Sequence, residues 1–190
     1  MKGVVTLSLA VGIAACQQAA PPAQQQQAQA GPAKGSPEWK IANAMSAAPA
    51  TIGQGATIMD IGADMKMVQL RAGTNGWTCL PDNPGTPGND PMCVDQNFMA
   101  WVTAWFGHTK PVIKTVGFAY MLQGGTDASN TDPFKMKPDS GQSWVDTGPH
   151  VMMVSPTPAA LAGLSTDYKS GGPYIMWQNT PYAHVMMPIK

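Results

Sequence analysis

One four-residue word occurs twice in this chain: His150-Val151-Met152-Met153 and His184-Val185-Met186-Met187. If both copies are strands, residues two apart share a face, so His150 sits beside Met152 and His184 beside Met186. Two such His-x-Met pairs brought together supply two imidazoles and two thioethers. That soft donor set selects copper, Cu(I) in particular, over hard cations. The chain holds 14 Met, which leaves Met65 and Met67 as spare thioethers. Packing offers a plainer use for the same residues, because Met fills irregular cores well. The metal reading therefore requires His150, Met152, His184 and Met186 to converge. Strands far apart, or facing opposite ways, would end it.

Other chemistry is thinner. The sequence has no Gly-x-Ser-x-Gly elbow, phosphate-cradling glycine loop, His-Glu-x-x-His or dinucleotide-binding glycine triplet. Its single Glu is Glu38, so any carboxylate dyad would have to be built from Asp. An uncatalogued hydrolase can still be written, with His150 or His184 as general base. Asp127 or Asp146 would orient it beside a pocket edged by Trp144 and Trp177. The segment 124–133 is dense in Asx and hydroxyl residues, and Asp127, Asn130 and Asp132 are candidate calcium ligands. Asx-turns account for those residues at less cost. His108 follows a Trp-rich segment, where a helix C-terminus would interact favourably with it. A third class is an envelope interaction module, with exposed Trp77, Trp144 and Trp177 contacting a glycan or protein partner.

Composition narrows the classes further. Charged residues make up 12% of the 190, against about 25% in ordinary soluble domains. Eleven basic and eleven acidic residues cancel, so no long-range field exists to attract nucleic acid. With 18 Pro and 20 Gly the chain is not mostly helical, and no apolar run outside the first fifteen residues suits a multi-span membrane protein.

Residues 1–15 read as an export signal, with Lys2 followed by a short apolar core. The end of that segment, Ile13-Ala14-Ala15-Cys16, resembles the lipobox of bacterial lipoproteins. The resemblance implies cleavage before Cys16, a diacylglyceryl group on its sulfur, and anchoring to a membrane through that lipid. Gln17 after the Cys is compatible, in that family, with sorting to the outer membrane. Lipid chains contribute about 0.8 kcal/mol per buried CH₂, so several together hold a protein firmly. An exported location also makes copper plausible, and His-x-Met is similar to part of the motif of periplasmic copper chaperones. That family's wider ligand spacing is missing here. Cys79 and Cys93 are the remaining thiols. An even pair in an oxidising space, enclosing a turn-rich loop, predicts a structural disulfide rather than a metal or redox site.

The elements that must position these groups follow from local pattern. Residues 16–36 are mostly Gln, Ala, Pro and Gly and form a disordered tether. A single globular domain spans 37–190. Its first helix starts at Ser36-Pro37 and ends before Pro49. A second, amphipathic helix starts at Asp90-Pro91 and carries Met92, Val94, Phe98, Trp101, Val102, Trp105 and Phe106 to Gly107. Short apolar stretches predict strands at 56–61, 65–70, 77–80, 114–122, 151–154, 174–178 and 183–187, the last two as a hairpin. Pro158 opens a further short helix to Leu164. The result is an α+β fold on a mostly antiparallel sheet, with one prominent amphipathic helix and one or two shorter ones.

From Leu70-Arg71-Ala72-Gly73-Thr74-Asn75-Gly76-Trp77-Thr78-Cys79 through Gly148-Pro149-His150-Val151-Met152, the chain resembles an uncharacterised family of exported bacterial proteins. That resemblance implies one folded unit and brings no established activity. The functional expectation is a membrane-anchored binding domain, with soft-metal binding as its most specific form and binding preferred to catalysis.

Overall fold

The computed structural model describes residues 1, 3, 31–62 and 66–189. The expected signal segment, Cys16 and most of the tether lie outside the described residues, as does Met65. Among the described residues, no helix is long and apolar enough to cross a membrane.

Residues 31–190 form one compact α+β unit. Helices α1 (Pro37–Met45) and α2 (Ala50–Gly53) lead into β1 (Thr57–Ile61), β2 (Met67–Arg71) and β3 (Thr78–Leu80). Then come β4 (Met92–Val94), α3 (Gln96–Phe106) and β5 (Gly117–Met121). A small pair, β6 (Thr126–Asp127) and β7 (Val145–Asp146), precedes β8 (His150–Val154), a 3-10 turn (Pro158–Leu161), β9 (Tyr174–Met176) and β10 (His184–Pro188). Eight strands form one sheet in the order β2-β1-β3-β4-β5-β8-β10-β9, antiparallel throughout except for β1 beside β3. β6 and β7 pair separately.

The two faces of the sheet are covered differently. Leu80 and Val94 join Phe98, Trp101 and Val102 of α3 in the main core, with Ala119, Met152, Val154, Tyr174, Met176 and Met186. Their chain neighbours Cys79 and Cys93 project to the other face, as strand alternation requires. There they pack with Ala44, Ala47 and Ala48 around α1. At the β9 edge the same second face is closed by Leu161 over Ile175 and Val185, with Met153 and Met187 half-buried alongside.

Cys79 and Cys93 are opposite one another in the β3–β4 register and are joined by a disulfide. This pairing explains one departure from the sequence reading. Residues 92–94 are a strand, not the first turn of the amphipathic helix, because Cys93 must lie across from Cys79. Asp95 then caps α3 in place of Asp90. One Asp95 oxygen accepts from Phe98 N at 2.8 Å, and the other accepts from Phe118 N of β5 at 2.8 Å. One carboxylate thereby starts the helix and ties it to the sheet. Gly117 permits the close approach, since a Cβ there would lie 2.5 Å from Phe98 N. The first helix does start at Pro37 behind Ser36, whose hydroxyl accepts from Trp39 N at 3.2 Å. The expected helix after Pro158 shrinks to a single 3-10 turn ending at Leu161. β6 and β7 had no signal, being two residues each.

Candidate metal-binding face

The two copies of His-Val-Met-Met are neighbouring strands. β8 and β10 pair antiparallel with Met186 opposite Met152, Val185 opposite Met153, Met187 opposite Val151 and Pro188 opposite His150. Directly opposed residues share a face, so Met152 and Met186 meet under α3 while Met153 and Met187 face the other way. His150 and His184 share the face of the first Met pair. They are buried, at 0% and 2% exposure, as are Met152 and Met186 at 5% and 1%. Antiparallel pairing puts the histidines on opposite sides of that pair: His150 two residues before Met152, and His184 two residues before Met186 on the strand running back, so the four groups share one face but the imidazoles are about 13 Å apart along the strands instead of at one point.

Both imidazoles are held in the same way. His150 Nδ1 lies 2.7 Å from the Gly148 carbonyl, and His184 Nδ1 lies 2.9 Å from the Tyr182 carbonyl. A carbonyl oxygen only accepts, so each Nδ1 carries the proton and each Nε2 keeps its lone pair. The bond in each case runs two residues back along the chain, away from the central methionines. His150 Nε2 is buried without a hydrogen-bond partner. Burial pushes the pKa of His150 down, against the opposing Gly148 carbonyl bond. For His184, burial lowers the pKa to about 4, with the charge of His150 pushing the same way and the Tyr182 carbonyl opposing. Both rings are therefore neutral at physiological pH, the form that ligates metal.

Supporting groups fix the rings. Gly125 packs on His150, and a Cβ there would lie 2.4 Å from Cε1. His184 stands edge-on to Trp101 and Trp177, 5.0 Å from each ring. Those two indoles stack at 5.8 Å with an 8° interplanar angle. The remaining cross-strand neighbours are also methionines: β5 places Met121 opposite His150, and β9 places Met176 opposite His184. Met121 and Met176 were invisible as candidates in the sequence, since each lies in a different strand from the histidine it opposes.

No protein family, curated protein or solved structure matches the chain.

The other candidates are placed elsewhere. Met67 lies on β2 at the far edge of the sheet, five strands or about 24 Å from β8. Neither histidine has its Nδ1 held by a carboxylate, as the hydrolase reading wanted; Asp146 instead accepts from Gly148 N at 2.9 Å. None of the three tryptophans is exposed. Trp77 and Trp144 are half-buried and Trp177 is 4% exposed. Trp177 is drawn inside because its indole N–H finds the Ser129 carbonyl at 2.9 Å while its ring stacks on Trp101.

The 124–133 segment behaves as a set of turns. Ser129 Oγ accepts from Thr131 N and Asp132 N, and Asp132 accepts from Phe134 N. Among the described residues, no group of three or more His, Cys, Asp or Glu side chains is placed to hold a metal ion. His108 follows the C-cap Gly107 at φ 53° and stacks on Phe134, with centroids 4.1 Å apart. Asp127 is half-buried on β6, and burial, reinforced by the charge of Asp90, raises its pKa to about 7.

Proposed function

We propose that this protein binds a soft metal ion, Cu(I), on the His/Met face of β8 and β10, and that it is an exported lipoprotein anchored through Cys16. The observation that carries the metal reading is the register: Met152 lies directly across from Met186, with one neutral histidine on each flank. Thioether and imidazole favour Cu(I) over Zn²⁺, Mg²⁺ or Ca²⁺ by softness. Backbone carbonyls fix both tautomers with Nε2 as the ligand atom, the usual way in which surroundings orient metal-bound histidine. An orphaned, fully buried Nε2 on His150 is costly unless something occupies it. Binding, rather than catalysis, suits a face with no carboxylate at either Nδ1.

Export and lipidation rest on the leader and the Cys16 pattern. The disulfide between Cys79 and Cys93 fits an oxidising compartment. The anchor has its own test in the mass of the N-terminal peptide from cells. A diacylglyceryl-modified Cys16 is expected, and an intact leader would overturn it.

The metal reading is tested by anaerobic titration of the full chain with Cu(I) against a chromophoric chelator. A Cys16→Ser version removes the competing thiol. Retention of Cu(I) by the parent and its loss in His150→Gln/His184→Gln is expected. Equal behaviour of parent and double variant would return both His-Val-Met-Met strands to core packing.

A further inference from the structure

Building on the copper reading, we propose that the face holds two separate His/Met half-sites, and so two Cu(I) ions, with Met121 and Met176 as ligands. The first half-site is His150 Nε2 with the thioethers of Met152 and Met121. The second is His184 Nε2 with those of Met186 and Met176. The register supplies the argument. Met121 is directly opposite His150, and Met176 is directly opposite His184. Opposed residues on one face have Cβ atoms about 5 Å apart, and same-face neighbours along a strand are about 7 Å apart. Each histidine therefore has one methionine across from it and one beside it, close enough for all three to converge on one ion.

A single four-ligand site meets an obstacle that two half-sites avoid. His184 falls opposite the position of Val154 when the β8–β10 register is continued, four residues along β8 from His150. That is about 13 Å along the strands. Both rings are also held outward by their Nδ1 bonds to Gly148 and Tyr182. Bringing both Nε2 atoms to one ion would break at least one of those bonds, whereas two ions leave both intact. Two monocations about 10 Å apart in partly buried surroundings repel enough to weaken the second by roughly tenfold.

The test is the stoichiometry of Cu(I) held by the full chain carrying Cys16→Ser, under chelator competition. Two equivalents, the second roughly tenfold weaker, are expected. Met121→Leu and Met176→Leu should each retain one. These substitutions conserve volume, and circular dichroism with thermal melting shows whether each variant is folded. One equivalent in the parent, lost entirely in either His150→Gln or His184→Gln, would overturn the two-ion arrangement while leaving the copper reading intact. No retained equivalent would overturn both. The parent's stoichiometry decides between these outcomes without any variant having to fold.

Discussion

Met152 and Met186 lie directly opposite one another on antiparallel strands, whereas the next residues, Met153 and Met187, project from the other face of the sheet. A four-residue repeat is thus divided into one inward and one outward methionine per copy. Met152→Leu or Met186→Leu should weaken Cu(I) binding beside its own histidine, His150 or His184, by about tenfold or more. Met153→Leu and Met187→Leu should leave it unchanged. Met-to-Leu changes conserve volume and cost less than about 1.5 kcal/mol, so stability should barely separate the four. Equal copper affinities across the set would contradict the face assignment.

Acid and base limits on stability come from different residues. His184 titrates near 6.5 when unfolded and at about 4 in the fold, because burial penalises its charged form. As pH falls from 6.5 to 4 the unfolded chain takes up this proton first, so the apo fold loses up to about 3 kcal/mol. His150 acts in the same direction. Asp127 does the reverse: its pKa rises from 3.8 to about 7, so folding is disfavoured progressively as pH climbs through that range. Near pH 5.5 the two slopes oppose each other and the parent profile should be shallow. Asp127→Asn should make stability climb with pH from about 4 to 6.5, read by urea unfolding. A profile indistinguishable from the parent would refute the Asp127 assignment.

Gly125 is a positioning residue for His150. Gly125→Ala would bring a methyl carbon to 2.4 Å from Cε1 and push the ring off its Gly148 bond. Copper uptake should fall on the His150 side, while Trp fluorescence near His184 keeps its response to Cu(I). Parallel loss of both signals would show a general disturbance instead.

The helix α3 that covers the face depends on Asp95. Asp95→Ala removes a cap from Phe98 N and a strand contact from Phe118 N, and should cost about 1–2 kcal/mol. Chemical denaturation measures this, and a change under a few tenths would mean that water replaces both bonds.

Much of this arrangement is legible in the sequence. The α+β class, the Cys79–Cys93 bridge and the pairing of 174–178 with 183–187 follow from alternation, turn residues and cysteine count. Strand order does not, because β5, β8 and β10 are brought together by connections of many residues whose local pattern says nothing about neighbours. Hence the sequence could name His150, Met152, His184 and Met186 but not Met121 or Met176. Asp90-Pro91 misled for a local reason: it carries a cap signal, yet the helix waits for Asp95 because disulfide-linked Cys93 is committed to β4. Trp177 looked like a surface contact since nothing local revealed its partners, Ser129 and Trp101.

The most direct measurement is X-ray absorption at the copper edge of the full chain carrying Cys16→Ser, loaded with one equivalent of Cu(I). The account predicts a mixed first shell of imidazole nitrogen and thioether sulfur, with the sulfur contribution reduced in Met152→Leu/Met186→Leu. A shell of nitrogen and oxygen alone, or a spectrum identical in parent and double variant, would contradict it.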